Sequence, residues 1–536
     1  MALEAGTAAM LAEGRSRLLQ GDVGGARERF DLAAKGAPDD LQVPFGIGNA
    51  WYESGDAATA VEWFRRAQGL DPRCAEVHYN LGVALQELQR DEEAEQAYRA
   101  ALSSRADYVP ALNNLGIVLR RLRCYGEALV PALRAAELAP QDAEVLNNLG
   151  QALADLGHVA EAEASYREAL RLRPDYPEAW GNRGVALMSR GELDAAVECF
   201  EAAIRLRPGD ADARLNLSHA LLLQGKLERG WEEYEQRLSE HCGDSRSAIG
   251  MRRYSQRAWQ GEDLSGGSLV LWAEQGMGDQ ILFAGVIPDL LARGGRLIVE
   301  CDPRLVALFQ RSFPAVRVVP RQDPPAAEAQ AADWQLALGS LPRHFRRALG
   351  DFPSHGGYLR ADPARAAAWG ERLGKAGKLR VGLNWAGNPA FRHDRWRSAS
   401  LADFAPLGGV PHVEWFNLHQ GARKSELEIA PFPLHDYAGE WRDLDDTAAF
   451  MANLDLVIST CTVIPHLAGA LGKPAWVLVH GLPYWAWGGE GKATPWYPSV
   501  RVFRQRGWGD WPAVMAEVAA ALGELAVGGA ELAPKA

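Results

Sequence analysis

The chain has 536 residues, more than one hydrophobic core supports, and its six cysteines lie far apart without a C-x-x-C pair, which argues against a disulfide framework and a zinc site. The net charge is −12 at pH 7, and residues 1–244 carry 26 Lys and Arg against 40 Asp and Glu, which argues against nucleic acid as a partner. No run of 18 apolar residues occurs and the first residues do not resemble a signal peptide, so we expect a cytoplasmic protein without membrane insertion.

A 34-residue period runs without insertion from Thr7 to Asp244 and gives seven units. Small residues recur at positions 8 and 20 of the unit, an aromatic residue at position 24, and proline at position 32. The position-8 glycines are Gly14, Gly48, Gly82, Gly116, Gly150 and Gly184. Small residues let two helices of a hairpin touch, the aromatic ring fills the gap to the next hairpin, and proline ends the second helix. We therefore predict an α-helical solenoid over residues 7–244, with an atypical seventh unit.

Asparagine occupies position 6 of the third to seventh units. These residues are Asn80, Asn114, Asn148, Asn182 and Asn216. An amide side chain offers a donor and an acceptor, so a ladder of them on the concave face could bind the main chain of an extended peptide acceptor. Alternatively, asparagine is simply frequent at this position and bonds within the hairpin. Both interpretations are open.

Beyond residue 267 the apolar residues form short continuous runs separated by helical stretches. The predicted strands are Ser268–Trp272, Leu297–Cys301, Val316–Val319, Leu379–Asn384, Val413–Leu418, Leu454–Ser459 and Ala475–Val479. The predicted helices are Gln280–Arg293, Pro363–Leu373, Asp446–Leu454 and Thr462–Leu471. Alternation of this kind predicts parallel sheets. We predict two Rossmann-like lobes, 245–365 and 376–522, joined by a linker within Ala361–Lys378 and followed by a tail, 523–536. Ligands should bind beyond the carboxyl ends of the strands.

The first candidate segment, Glu274 to Asp279, follows a predicted strand and precedes a helix. Its glycines, Gly276 and Gly278, would let the backbone approach a ligand closely, and Asp279 could serve as a general base. Alternatively, Asp279 only caps the helix. The segment is not a dinucleotide fingerprint, because Ile281 stands where the third glycine would be.

The second candidate segment follows the predicted strand that ends at Asn384. A turn with Trp385, Gly387 and Asn388 leads to three arginines within six residues, and Arg397 is the last of them. Arginine forks suit phosphate oxygens, so this segment is typical of a pyrophosphate clamp. Alternatively, it is a solvated charged loop.

The third candidate segment runs from Leu456 to Pro474, and in it a predicted strand leads directly into a helix. Thr462 is the expected cap and Pro465 lies in the first turn, where its missing amide costs nothing. The free amides of that helix start would form an anion site in the cleft. His466 by itself is more often a packed histidine than a catalytic one.

In this order the motifs E-Q-G-x-G-D, N-W-x-G-N with R-x-R-S, and S-x-x-T-x-x-x-H-L-A-G-A-L-G-x-P resemble bacterial tetratricopeptide-repeat proteins with a glycosyltransferase family nine, heptosyltransferase-like domain. The plan is similar to that of O-GlcNAc transferase, and the resemblance covers essentially the whole chain, including residues 230–235. It implies an all-α tetratricopeptide superhelix followed by an α/β GT-B fold of two lobes. The nucleotide-sugar would be held mainly by the second lobe, with no metal and no other cofactor.

The resemblance also implies roles for individual residues. Asp279 matches the general base of heptosyltransferases, and Arg397 is the nearest match to the basic residue that contacts the donor phosphates. Most relatives have aspartate where this chain has Cys461, so an acid near the donor is missing. The assigned donor-binding residues are Gly276, Gly278, Asn384, Trp385, Gly387, Asn388, Arg397, Gln420, Thr460, Cys461, Thr462 and His466.

We therefore predict a glycosyltransferase that captures a protein in its repeat groove and transfers a sugar from a nucleotide-sugar to a Ser or Thr hydroxyl. By family analogy the acceptor is flagellin or another bacterial surface protein. One alternative keeps the enzyme but makes the acceptor a lipid-linked or polysaccharide sugar, although no basic amphipathic segment for a membrane surface is evident. The other is a non-catalytic scaffold whose transferase domain has decayed at Cys461.

Overall fold

The structure is a computed structural model that describes residues 2–239, 252, 254–389, 394–421, 424–481 and 484–528. The chain divides into two compact units, 1–186 and 187–536. The predicted boundary between repeats and first lobe at 244/245, Arg392 of the predicted clamp and the end of the predicted tail lie outside the described residues. Among the residues described, no helix is both long and apolar enough to cross a membrane.

Consecutive helical pairs occupy the first 234 residues, one pair for each 34-residue period. The pairs are Ala2–Leu19 with Val23–Gly36, Gln42–Glu53 with Ala57–Leu70, Ala75–Glu87 with Asp91–Ser104, Val109–Arg121 with Tyr125–Leu138, Ala143–Asp155 with Val159–Leu172, Pro177–Ser189 with Leu193–Leu206, and Ala211–Leu223 with Leu227–Tyr234. In the five repeats with proline at position 32, the second helix ends two residues before it. The predicted array of α-helical hairpins is confirmed.

Within a hairpin, the glycine at position 8 makes room for the aromatic ring at position 24. A Cβ on Gly82 would lie 2.6 Å from the Tyr98 ring, closer than a real Cβ can approach. In the fourth repeat Ala132 replaces the ring, and a Cβ on Gly116 would meet nothing nearer than 3.5 Å. The ring therefore packs first on its own hairpin, and the Tyr98 hydroxyl also accepts a hydrogen bond from Asn114 of the next repeat.

The second unit contains two sheets in which every described strand pair is parallel, as predicted. The strands are β1 (Arg257–Ala258), β2 (Ser268–Trp272), β3 (Arg296–Cys301), β4 (Arg317–Pro320), β5 (Trp334–Ala337), β6 (Leu379–Asn384), β7 (Val413–Asn417), β8 (Leu434–His435), β9 (Leu456–Thr460), β10 (Ala475–Val479) and β11 (Val500–Arg504). Their order is β1-β5-β2-β3-β4 in the sheet of the first lobe and β11-β10-β9-β6-β7-β8 in the sheet of the second lobe.

The apolar runs did not predict β1, β5, β8 and β11. Two of these strands have only two residues, β11 lies at the edge of its sheet, and the first two residues of the four-residue strand β5 are only half-buried. The rule of continuous apolar runs applies to strands buried on both faces, such as β2, β9 and β10. Edge and very short strands therefore escape it.

Helices connect the strands of the second unit. They are Met277–Ala284, Ile287–Leu291, Val306–Ser312, Ala327–Gln330, Pro342–Phe345, Pro363–Leu373, Asp394–Arg397, Lys424–Glu428, Leu444–Met451, Val463–Ala470 and Trp511–Ala526. The predicted helix Gln280–Arg293 is two helices, because the first ends at Gly285. Most of the predicted linker is the Pro363–Leu373 helix, which is tied to the second lobe by an ion pair of 2.8 Å between Arg365 and Asp446.

The carboxyl-terminal helix covers one face of the second sheet. Asp510 caps it by accepting a hydrogen bond from the Ala513 amide, and proline occupies its first turn. Its buried residues, such as Met515 and Val518, join Ile458 of β9 in the core of the second lobe. This packing leaves the carboxyl ends of the strands as the edge where the candidate site residues collect.

Candidate active site

Asp279 lies in the first turn of the Met277–Ala284 helix, just beyond the end of β2. The N-cap position of that helix is Gly276, so Asp279 is not the capping residue. Its Oδ1 accepts a hydrogen bond of 2.6 Å from the Tyr484 hydroxyl, which belongs to the segment after β10 in the second lobe. The carboxylate is half-buried and lies where the two lobes meet.

Burial raises the pKa of Asp279 to about 6, from an ordinary value of 3.8. The hydrogen bond from Tyr484 and the charge of Arg397 oppose this increase, whereas the negative charge of Glu274 adds to it. A carboxyl group with a pKa near neutrality is ionised at pH 7 and still basic enough to accept a proton in catalysis.

The starts of two helices, one from each lobe, meet at Gly278. A Cβ on this residue would lie 3.1 Å from Cδ2 of His466 and 3.7 Å from Cα of Val463. The glycine thus permits close contact between the Met277–Ala284 and Val463–Ala470 helices, whereas the sequence suggested an approach to a ligand. Gly276 is exposed.

The start of the Val463–Ala470 helix is held by hydrogen bonds from neighbouring strand ends. Thr462 caps the helix by accepting from the Ile464 amide at 3.3 Å, as predicted. Asn384, at the end of β6, donates to the hydroxyls of both Ser459 and Thr462 at 3.1 Å. Thr460 is fully buried, and its hydroxyl makes no hydrogen bond. The Ile464 amide is taken up by Thr462 and Pro465 has no amide N–H, so the Thr462 and Val463 amides are the ones at this helix start that are suited to bind an anion.

His466 is a packed, neutral histidine. It is buried, its Nδ1 lies 3.1 Å from the Tyr497 hydroxyl, and its ring centroid lies 4.7 Å from that of Trp487. Burial, together with the charge of Arg397, lowers its pKa to about 3. The Trp487 indole also donates a 3.0 Å hydrogen bond to the Cys461 sulfur, and burial raises the pKa of this thiol. A neutral thiol therefore stands where most of the resembling proteins have an acid.

Arg397 is held in an ordered turn. Its Nε donates to Asp394 at 2.9 Å, and Asp394 also accepts from the Ser398 hydroxyl at 3.0 Å. The Gly387 amide donates to that hydroxyl, and a Cβ on Gly387 would lie 2.5 Å from the Arg397 guanidinium. The guanidinium is close enough to Asp279 to lower its pKa. The predicted clamp and the predicted base thus lie in one site.

The remaining predicted donor-binding residues lie elsewhere at the edge of the sheet. Trp385 is 1% exposed and belongs to the core of the second lobe, where its ring centroid lies 5.0 Å from that of His419. Because its ring is enclosed by the core, it supports the site and does not offer a surface to a ligand. Asn388 and Gln420 are exposed.

The residues that sequence analysis missed are Tyr484 and Trp487. They lie in an aromatic-rich segment after β10, and each contacts a predicted site residue, Asp279 and Cys461 respectively. The density of aromatic residues in this segment was the available signal. Among the residues described, no group of three or more His, Cys, Asp or Glu could hold a metal ion.

In the repeats, four of the five position-6 asparagines are half-buried and donate hydrogen bonds to the preceding repeat. The bonds are Asn80 to Asn49 at 2.7 Å, Asn114 to the Tyr98 hydroxyl at 3.3 Å, Asn148 to Asn113 at 2.9 Å and Asn182 to Asn147 at 2.9 Å. These bonds join neighbouring hairpins, whereas the alternative interpretation expected bonds within a hairpin; Asn148 has one of these as well, accepted from Asn147 at 3.4 Å. Asn216, in the second unit, is also half-buried.

Comparison with known proteins supports the assignment of the repeats. Models of the tetratricopeptide repeat match residues 48–89, 75–108, 147–211 and 186–240. Protein FlbA of Caulobacter vibrioides is 33% identical over 294 residues, which are 50% of this chain and 48% of that protein, so the chain spans about half the length of this relative.

Two similar solved structures each match about a third of this chain. YrrB, a TPR protein with an unusual peptide-binding site, is 24% identical and matches 34% of this chain and 95% of its own, with a TM-score of 0.31. PilF of Pseudomonas aeruginosa is 23% identical over 37% of this chain and 91% of its own, with a TM-score of 0.33. The family-model matches and the seven helical pairs together identify the amino-terminal part of the chain as an array of tetratricopeptide repeats. An α/β region with two parallel sheets follows it.

Proposed function

We propose that this protein is a glycosyltransferase that moves a sugar from a nucleotide-sugar to a hydroxyl group, with Asp279 as the general base. The observation that carries the proposal is the closeness of three features. A carboxylate with a pKa of about 6 lies beside the contact between Gly278 and the start of the Val463–Ala470 helix, and Arg397 is near enough for its charge to lower the pKa of both Asp279 and Cys461.

In the proposed reaction the donor diphosphate lies against Arg397 and the amides at the start of the Val463–Ala470 helix. Asp279 accepts the proton of the acceptor hydroxyl while that oxygen bonds to the anomeric carbon of the sugar. The bond between this carbon and the diphosphate breaks, and the nucleoside diphosphate leaves with the electron pair. Arg397 and the helix amides then stabilise the charge that develops on the leaving group.

The replacement of an acid by Cys461 is compatible with this function. The thiol is neutral and held by the Trp487 indole, so it adds no negative charge beside a diphosphate. The surrounding hydrogen bonds of Asn384 and Thr462 are complete. These features favour a working transferase over the alternative of a decayed, non-catalytic scaffold.

The first test is donor binding by Arg397. UDP-, CMP-, ADP-, GDP- and dTDP-sugars would be screened by thermal shift, since a ligand that binds the folded state raises its melting temperature. We expect Arg397→Ala to weaken the nucleotide-sugar and the free nucleoside diphosphate alike, by about 10- to 100-fold for one charge-assisted contact. Isothermal titration calorimetry measures both affinities.

Arg372→Ala is the matched control. Arg372 is an exposed arginine on the Pro363–Leu373 helix, and its guanidinium pairs with Glu440. It should leave both affinities unchanged. If Arg397→Ala also leaves them unchanged, the charge run is only a solvated loop and the phosphate site is misplaced.

We further propose that the acceptor is a protein segment held by the repeats. The position-6 asparagines are half-buried, so each keeps some exposed surface, and Asn148 and Asn182 each use one N–H to join neighbouring repeats. Such a row could bind the main chain of an extended segment without selecting its side chains. A saccharide acceptor would instead bind beside Asp279 alone.

Replacing Asn114, Asn148 and Asn182 with Ala together should abolish glycosylation of the protein acceptor and leave donor binding intact. Each lost hydrogen-bonding pair is worth about 0.5–1.5 kcal/mol, so the triple change has a clear effect where single changes have small ones. Mass spectrometry of the acceptor after incubation with the donor measures the result.

The control is the double variant Asn113→Ala with Asn147→Ala. Both residues are buried, and their loss removes the hydrogen bonds that Asn148 and Asn182 donate to the preceding repeat. We expect the double variant to retain glycosylation. If it loses glycosylation as completely as the triple variant, or if the triple variant works at the normal rate, the asparagines have only a structural role.

A further inference from the structure

The last helix of the seventh repeat, Leu227–Tyr234, lies against the segment that carries Tyr484. The Trp231 ring centroid is 5.1 Å from that of Trp485 in an edge-to-face arrangement, and the Tyr234 ring is 5.9 Å from the same indole. The Trp231 indole also donates a 2.7 Å hydrogen bond to the Arg346 carbonyl. Tyr484, the direct neighbour of Trp485, donates to Asp279.

The same helix and the turn after it also hold the loop on the other side of Asp279. The Tyr234 hydroxyl accepts a hydrogen bond of 2.7 Å from the Gln275 side chain. Arg237 is fully buried and pairs with the buried Glu274 at 2.8 Å. Glu274 and Gln275 begin the loop that leads to Asp279.

Tyr234 belongs to a repeat that departs from the repeat pattern. It is the position-24 aromatic residue, whose equivalent, Tyr98, lies on the position-8 glycine Gly82 of its own hairpin. In the seventh repeat position 8 is Ser218, which is fully buried and has the Cβ that glycine lacks. Ser218 thus stands where the hairpin of Tyr98 has its glycine, and the Tyr234 hydroxyl contacts Gln275 of the loop.

We propose that the seventh repeat is part of the transfer site, with two positioning residues: Tyr484 fixes the Asp279 carboxylate directly, and Tyr234 holds the loop that leads to Asp279. The role of Asp279 as base rests on the proposed function, but its fixation by these tyrosines does not. The seventh repeat thus joins two functions, since it completes the repeat array and orients the group that accepts the proton.

The titration of Asp279 reports its surroundings directly. The groups that act on its charge come from both lobes and from the repeat helix: Tyr484, Glu274 and Arg397 shift its pKa, and Tyr234, Cys461 and Tyr497 are themselves shifted by its charge. A hydroxyl that donates to a carboxylate favours the ionised form. Removal of such a hydroxyl therefore raises the pKa of the carboxyl group.

The experiment is a pH titration of the full chain labelled with carboxyl-¹³C aspartate, followed by NMR and assigned with Asp279→Asn. Tyr484→Phe and Tyr234→Phe keep the aromatic rings and remove only the hydroxyls. We expect the Asp279 midpoint to rise by about one pH unit in Tyr484→Phe, the usual size for one charge-assisted hydrogen bond. We expect a smaller rise in Tyr234→Phe, because Tyr234 acts on Asp279 only through the loop that contains Gln275, and release of this loop loosens the bond from Tyr484.

Tyr254→Phe is the matched control, because the Tyr254 hydroxyl also donates to a carboxylate, Glu300, in the first lobe. It should leave the Asp279 midpoint unchanged. An unchanged midpoint in Tyr484→Phe or in Tyr234→Phe overturns the proposal. Failure of every nucleotide-sugar to bind would overturn the proposed function instead, and this titration needs no donor.

Discussion

Asp279→Asn is expected to lower turnover by about 10²–10⁴-fold while the affinity for the donor stays nearly unchanged. Asparagine has the same shape and its oxygen can still accept the hydrogen bond from Tyr484, but it cannot take a proton from the acceptor. The measurement is the initial rate of nucleoside diphosphate release with saturating donor and acceptor. Because the pKa of Asp279 is about 6, turnover of the unmodified protein should fall as the pH drops below 6.

The stability of this variant provides an independent check. The folded-state pKa of about 6 lies above the ordinary value of 3.8, so the folded state binds more protons between these two pH values. The ionised carboxylate therefore destabilises the fold as the pH rises through this window, and the cost is complete above pH 6. Asparagine carries no such charge.

We accordingly expect Asp279→Asn to melt at a higher temperature than the unmodified protein at pH 8 and at a similar temperature at pH 4. Differential scanning calorimetry at both pH values measures this. A variant that is inactive but more stable identifies a functional group, since the site holds a charge that the fold alone would not favour. Near-normal turnover would remove Asp279 as the base.

The sequence predicted those parts of the site that depend on local pattern. Asp279 and Thr462 each stand where a strand ends and a helix begins, and the backbone alone brings such positions to the carboxyl edge of a parallel sheet. The 34-residue period likewise predicted the helical pairs, because each hairpin repeats the same contacts between small and aromatic residues.

The sequence could not predict which side chains meet across the lobes. Tyr484 lies 205 residues from Asp279 in the chain, and only the relative placement of two sheets brings them together. Trp385 shows the opposite difficulty, since a tryptophan at a strand end has the same pattern whether its ring enters the core or the cleft. The hydrogen bonds of the position-6 asparagines could not be predicted from local pattern either, because they join side chains in hairpins that are one full period apart in the sequence.

Arg237→Ala should be the most destabilising of the substitutions considered, with a loss of about 3–5 kcal/mol in the free energy of unfolding. The Arg237 side chain is fully buried and the side chain of its partner Glu274 is only 2% exposed. Burial raises the pKa of Glu274, and the arginine opposes that increase. Removal of the guanidinium leaves the buried Glu274 carboxylate without its counter-charge. The Ser340 hydroxyl also loses the hydrogen bond that it accepts from Arg237.

The pH dependence follows from the same pair. Without Arg237 the folded-state pKa of Glu274 rises further above its ordinary value, so the destabilisation should be greatest at neutral pH and should diminish as the pH falls and Glu274 becomes protonated. Replacing both partners, as Arg237→Met with Glu274→Gln, should restore much of the stability, because a neutral amide then replaces the buried carboxylate. The exposed ion pair between Arg372 and Glu440 gives the comparison, and Arg372→Ala should lower the free energy of unfolding by only about 0–1 kcal/mol. Denaturant unfolding monitored by tryptophan fluorescence measures all of these variants. If Arg237→Ala costs no more than Arg372→Ala, the buried pair does not hold the loop that leads to Asp279.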